Sequence, residues 1–425
     1  MKKRSVSLAV VALIAAVPGA LLSGPASATV NDELLIFVDA KAPKAGTSAA
    51  SGRDGSTKET ALSSIKEAEK VAREKSATSV TVTVAPGLYE PFEWNYAPKG
   101  GKITIKSETG KVPDEVLAAA DARISKDAPP RDSTPPAKKG TPDEPFDIAP
   151  DAGSIPPGRA GAPAVTVSES AQIGSSSLAD ASIAAVYRCN STQPDYAIKL
   201  GAGDTSYELS GAVVELCRNG GLRIYDAAGL FVHNSLFQYI GNRYNTYGSG
   251  NGYGGIHMVG AGPWALITDN RFYNHENLPG SGPSEIHGVY AADGTSNFTL
   301  EDNNFGAISG DPVRFRNASN NSTIQYNKFW QTGYVAIVSD WRFDADVCSR
   351  GNVFSNNVVG YWTYGGQEFN VGQVGLASDP VTVSVRKWGH DAVRQANVGG
   401  CVTSSNPVEP IAFGGGNSYT SVRPW

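Results

Sequence analysis

The chain has 425 residues, a net charge of −5, 47 glycines, 26 prolines, four cysteines and two methionines. So mild an acidic balance supplies no basic field for nucleic acid. Many glycines with few leucines favour short strands and tight turns over a helical bundle.

Lys2, Lys3 and Arg4 precede an apolar run from Val6 to Leu22 and an Ala26-Ser27-Ala28 end. A basic head, a short apolar middle and a small-residue close form the pattern of a secretory signal peptide. Residues 1–28 are therefore set aside as a leader cleaved after Ala28. Residues 29–425 are read as one secreted, extracellular domain with no membrane anchor after cleavage. The cysteines suit an oxidising exterior and allow three pairings. Cys189–Cys217 and Cys348–Cys401 are expected, because each would clip neighbouring turns, and no CxxC metal spacing occurs.

LLIFVDA at Leu34 to Ala40 reads as a strand, followed by a loop containing GRDGST. In ALSSIKEAEKVAREK, Leu62, Ile65, Ala68, Val71 and Ala72 fall on one helical face. SVTVTVAPGLYEP then alternates at period two, and KITIKS at Lys102 to Ser107 reads as an early rung. This order of strand, DG-containing loop, amphipathic helix, strand and APGLY resembles the N-terminal cap of the pectate-lyase-like superfamily. The resemblance implies an all-β fold, a right-handed parallel β-helix (a solenoid) with a short N-terminal capping helix. Such a cap covers apolar rungs and strand edges that an open solenoid end would expose.

From about residue 110 to 161 the composition turns to proline, aspartate, lysine and alanine, with DAPPRDSTPPAKKGTPDEP at its centre. Such a stretch buries too little apolar surface to order itself, and a disordered insertion is expected. Rungs resume at AVTVSES, ASIAAVYRC and YELSGAVVELC. After Phe354, NNVVGYWTYGG, PVTVSVRKWGH and GGGNSY read as last rungs and a C-terminal cover.

Between Gly220 and Phe354 one pattern returns five times. First strands read GGLRIY, GGIHMV, HGVYAA, DPVRFR and GYVAIV; second strands read FVHNSLF, LITDNRF, FTLEDNNF, STIQYNKF and SRGNVF. The closing residues Phe237, Phe272, Phe305, Phe329 and Phe354 are spaced by 35, 33, 24 and 25 residues, a solenoid period. Asn270, Asn303, Asn327 and Asn352 each sit two residues before a closing Phe, which predicts a structural amide ladder.

Alternation places Leu222, Ile224, Ile256, Met258, Val289, Ala291, Val313, Phe315, Val335 and Ile337 inside. Arg223, His257, Tyr290, Arg314 and Ala336 then form one outward column, with neighbouring coils about 4.8 Å apart. Arg316, Asp293, Asp311 and His287 lie at its edges by sequence. A solvated sheet face would hold mostly Glu, Lys, Ser and Thr, so cations beside a histidine and a tyrosine mark a binding face.

Many enzymes of the resembled superfamily cleave acidic polysaccharides by β-elimination in a groove along one sheet, and that activity is what the resemblance implies here. Elimination needs a neutralised carboxylate, a base for the adjacent proton and an acid for the leaving oxygen. Arginine matches a carboxylate with its fork, so Arg314, helped by Arg316 or Arg223, is assigned the first task. His257 is expected as base with Tyr290 as acid, or Tyr290 as both. His287, Asp311 and Asp293 are assigned to substrate binding. Superfamily lyases often use calcium. No acidic cluster demands it here, although Asp293, Asp311 and Asp340 could contribute.

Two other functions fit the same scaffold. A glycoside hydrolase needs two carboxyls about 5–5.5 Å or about 6.5–9.5 Å apart; Glu285, Asp293, Asp311 and Asp340 are the candidates. A non-catalytic glycan-binding or surface protein would stack sugars on Trp264, Tyr244, Tyr247 or Tyr253. In every reading the partner is a polysaccharide and the protein acts as a monomer. The long loops 242–253 and 275–285 are expected to wall a groove.

Overall fold

Three short strands follow one another in most coils, and among the described residues only Leu34–Val38 pairs with the next strand along the chain, Ser79–Val84. The computed structural model describes residues 33–44, 46–47, 52–124, 178–193, 195–201, 203–278, 285–333, 337–340, 347, 349–360, 364 and 411–425. In one coil Gly220–Tyr225 is followed by Ala227–His233 and Leu236–Ile240; in the next, Gly254–Val259 is followed by Trp264–Thr268 and Arg271–His275. Equivalent strands stack in parallel into sheets of seven, ten and nine strands among the described residues. The chain is an all-β, right-handed parallel β-helix.

The repeat therefore has three strands where the sequence suggested two. FVHNSLF bends at Asn234 and Ser235, and Asn234 takes a left-handed backbone (φ 52°). Asp269, Asp302, Tyr326 and Asn356 take φ of 54–57° at the same corner of later coils. Short polar side chains tolerate this region, so most of these corners need no glycine.

The asparagine ladder stands at that corner. Asn303 Nδ2 donates to Ile267 O (2.9 Å), Glu301 O (2.7 Å) and Asn327 Oδ1 (3.0 Å), while its Oδ1 accepts from Asn270 N (2.9 Å) and Asn270 Nδ2 (3.0 Å). The ladder runs through Asn270, Asn303, Asn327, Asn357 and Asn417, so Asn352 is not a member. Asn352 belongs to another corner, where it accepts from Ser322 N and donates to Ser319 O. The fifth Phe is displaced likewise. Phe237, Phe272, Phe305 and Phe329 stack at centroid distances of 5.2, 4.8 and 4.8 Å, and Phe329 pairs next with Val359. Phe354 lies in the ten-stranded sheet instead. Burying each ring is worth about 2–3 kcal/mol.

The glycines opening the first strands now have a reason. A Cβ on Gly255 would stand 2.7 Å from His275 and 2.8 Å from the Phe272 ring, and one on Gly288 would stand 2.5 Å from Phe305. Only a residue without a side chain lets the phenylalanine stack pass.

The N-terminal cap is as expected. Helix α1 (Ile65–Glu74) begins with a capping box between Ser64 and Glu67 and buries Ile65, Ala68 and Ala72. The segment expected as an insertion begins differently. Asp114–Arg123 forms a second helix, α2, with Asp114 and Glu115 in its first turn and Arg123 in its last. Val116 and Ala120 of α2, with Val112 and Ile124 beside it, pack on Val186, Val213, Leu236, Tyr273 and Trp330 of the nine-stranded sheet. That outer face is apolar, and covering it is what orders the helix. Arg423 donates from Nη1 to the carbonyls of Asp121 and Ile124 at the C-terminal end of α2, and Trp425 stacks on Tyr273 at 5.8 Å.

Cys189 and Cys217 form a disulfide. Cys348 and Cys401 lie outside the described residues, as do the expected leader, most of the proline-rich segment, AVTVSES and PVTVSVRKWGH.

Candidate functional site

Register sets the outward column of the seven-stranded sheet. Arg223 pairs with His257, His257 with Tyr290, Tyr290 with Arg314 and Arg314 with Ser339. The column continues the other way through Lys199 to Glu93. Four of the five expected members are thus in place. The fifth is Ser339, because Val338 rather than Val335 pairs with Val313; Val338 is buried, and Ala336 lies outside the described residues. The corner extends through Gly333, whose N–H bonds Ile308 O, so the strand starts three residues later.

Tyr290 and His257 form the centre. Their rings stack at 4.6 Å and 6°. His257 Nδ1 lies 2.9 Å from the Tyr196 hydroxyl, and Tyr253 leans against the imidazole at 5.6 Å. Burial, then the charges of Arg223 and Arg316, push His257 down to about 3, so the ring is neutral at ordinary pH. The Tyr290 hydroxyl makes no hydrogen bond among the described residues, although the side chain is 8 % exposed.

The flanking residues divide into two kinds. Arg223 and Arg314 line the face, and the charge of Arg316 also acts on His257. Arg314 Nη2 is 3.7 Å from Asp311 Oδ2, and that carboxylate is buried. His287 is also buried: its Nδ1 lies 2.6 Å from Asp311 O and its ring meets Tyr290 edge-on at 5.3 Å. Burial, then Arg314, hold His287 well below the usual range. Asp293 sits at the corner beyond its strand, where it accepts from Asn317 Nδ2 at 2.8 Å. Hence His287 and Asp311 support the floor, while Asp293 serves a turn.

The described parts of the two loops, 242–253 and 275–278 with 285, bond to each other. Asn277 Oδ1 accepts from Gly252 N (2.8 Å) and Asn242 N (3.3 Å), and its Nδ2 donates to Gly252 O (3.1 Å). Arg218 donates to Gly250 O at 2.8 Å, and Asn251 to Glu285 at 2.6 Å. Tyr247 and Tyr253 remain exposed on the first loop. Tyr244 instead donates to the buried Glu276 at 2.5 Å, beside Arg243. Trp264 belongs to the ten-stranded sheet, away from this column.

The hydrolase candidates do not present a ready pair. Asp311 is buried against Arg314, Asp293 is held by Asn317, Glu285 by Asn251, and the Asp340 side chain lies outside the described residues. Among the described residues no three His, Cys, Asp or Glu side chains gather to hold a metal ion.

Sequence reasoning missed Tyr196, Lys199 and His275, while alternation in GGLRIY already turned Tyr225 outward beside Arg223. The signal for Lys199 was present in DYAIKL, where buried Ile198 and Leu200 set the same phase one coil earlier; Tyr196 shares their parity, so alternation alone would turn it inward.

Residues 178–373 match the family model described as a right handed beta helix region. No curated protein and no solved structure matches the chain.

Proposed function

We propose that this protein is a secreted carbohydrate-active enzyme that cleaves an acidic, uronate-containing polysaccharide by β-elimination on the seven-stranded face. The carrying observation is the Tyr290 ring stacked on a neutral His257, its hydroxyl uncommitted among the described residues, with guanidinium groups on both sides along the column.

Arg314, with Arg316, takes the carboxylate of the reacting uronate and draws electron density from the adjacent carbon. Tyr290, as its phenolate, accepts the proton from that carbon. The released electron pair forms the new double bond as the glycosidic carbon–oxygen bond breaks, and the Tyr290 hydroxyl returns the proton to the leaving oxygen. Tyr290 ends as it began. His257 is a weak base here, with its Nδ1 taken by Tyr196; it acts as a platform that orients the phenol.

The test is a screen of the purified protein against pectate, alginate, glucuronan, hyaluronan and chondroitin, following the ultraviolet absorbance of unsaturated product. Tyr290→Phe should lose about a hundredfold or more in kcat, and Arg314→Ala should lose activity on the same substrate. Undiminished elimination by Tyr290→Phe would refute the assignment. New reducing ends without absorbance would establish hydrolysis instead.

A further inference from the structure

Arg223 differs from the other two cations of the column. Lys199 is held by Asp195 at 2.6 Å, and Arg314 meets Asp311 at 3.7 Å. Arg223 has no carboxylate within ion-pair distance among the described residues. Its guanidinium lies 4.6 Å from the Tyr225 ring centre and 5.4 Å from that of Tyr196, and its Nε is buried without an acceptor. Aromatic faces hold a cation in place without neutralising it. A half-buried charge in that condition gains most from an anion that completes it.

Position separates Arg223 from the reacting centre. It lies two coils from Tyr290 and three from Arg314 by register, about 10 Å and about 14 Å at the usual coil spacing. One carboxylate seated between Tyr290 and Arg314 cannot also meet Arg223.

We infer that Arg223, framed by Tyr225 and Tyr196, is a second carboxylate subsite, which holds a uronate on a different sugar from the one that reacts. This rests on the groove being a uronate site. It narrows the substrate to chains that carry carboxylates on more than one sugar within the span of the groove. The fixed fork presents a preorganised pair of donors, so little ordering is lost when the carboxylate arrives.

The experiment is calorimetric titration of the Tyr290→Phe protein with tetramers of galacturonate, mannuronate and glucuronate, and with the same tetramers after carboxyl reduction. At least one charged tetramer should bind. Adding Arg223→Gln should weaken it tenfold or more, with Arg223→Lys recovering part of the loss. The carboxyl-reduced tetramer should bind the Tyr290→Phe protein equally with and without Arg223→Gln. Melting midpoints confirm folding, and Arg223→Lys carries the test if Arg223→Gln does not fold. Equal affinity for the charged tetramer with and without Arg223 overturns the inference, even if the wild-type protein releases unsaturated product. Arg223-dependent binding without any unsaturated product overturns the lyase reading and leaves the subsite standing. Binding of no tetramer overturns the subsite.

Discussion

Acidification from pH 7 to pH 5 should remove about 6 kcal/mol of folding stability, through three buried histidines. His257 and His275 sit in one coil and His287 in the next, and they are 7 %, 0 % and 2 % exposed. Burial lowers all three: His257 to about 3, His275 to about 4 and His287 well below its ordinary value. Arg223 and Arg316 add to the effect on His257, and Arg314 to that on His287. Carbonyls at His287 and Phe237, 3.0 and 3.1 Å from the two ring nitrogens of His275, work against it. Unfolded histidine protonates near pH 6.5. Because the folded values are depressed, the stabilisation is complete above about pH 6.5 and is lost as pH falls towards the folded values. At pH 5 an unfolded histidine is almost fully protonated while its buried counterpart is not, a difference of about 2 kcal/mol for each. Urea midpoints followed by tryptophan fluorescence at pH 7, 6 and 5 measure the loss. His275→Gln should reduce the pH-dependent part by about a third, whatever it does to stability at pH 7. The lowered carboxylate Glu208 titrates below this window and does not confuse it. A midpoint that stays constant from pH 7 to pH 5, or an unchanged slope in His275→Gln, would refute the reasoning.

Asn303→Ala should cost about 3 kcal/mol or more in urea unfolding, because it strands carbonyls at Ile267 and Glu301 and the amide of Asn270 in a buried corner; a loss below about 1 kcal/mol would show that the corner holds without its ladder. Replacing Cys189 and Cys217 together by alanine frees a 28-residue separation and should cost about 3.5 kcal/mol, read from the same unfolding curves.

The column was legible because alternation forced it. In GGLRIY, GGIHMV and HGVYAA one face is buried core, so a slip of one residue would turn every apolar side chain outward. GYVAIV has no such contrast; both Ile337 and Val338 are buried, and an unbroken apolar run does not declare its phase. The third strand was hidden for a different reason. Its corner turns on left-handed residues such as Asn234 and Asp269, with no glycine or proline to punctuate the run. Helix α2 carried its own signals, Pro113 before an acidic first turn, but they stood next to a long proline-rich tract that dominated the composition. Its order comes from the apolar sheet face beneath it, which local sequence does not report. The same limit hid His275, since its two carbonyl neighbours come from other coils.

The Arg423 contact with α2 bears on how the molecule is assembled over time. Arg423 lies 302 positions along the chain from the Asp121 carbonyl it caps. Most rungs can form as soon as the next coil is made, because their partners are about one period away. The lid over the nine-stranded sheet is different: its helix emerges early, and the arginine and tryptophan that fasten it emerge hundreds of residues later. Until then the helix must ride on Val186, Val213 and Leu236 with its last carbonyls open to water. Stacking can therefore proceed coil by coil during synthesis, while the fastening step waits for the far segment. Deleting residues 423–425 should leave the rungs intact and loosen that one seam, so amide exchange in α2 would accelerate while exchange in Gly254–Val259 would not.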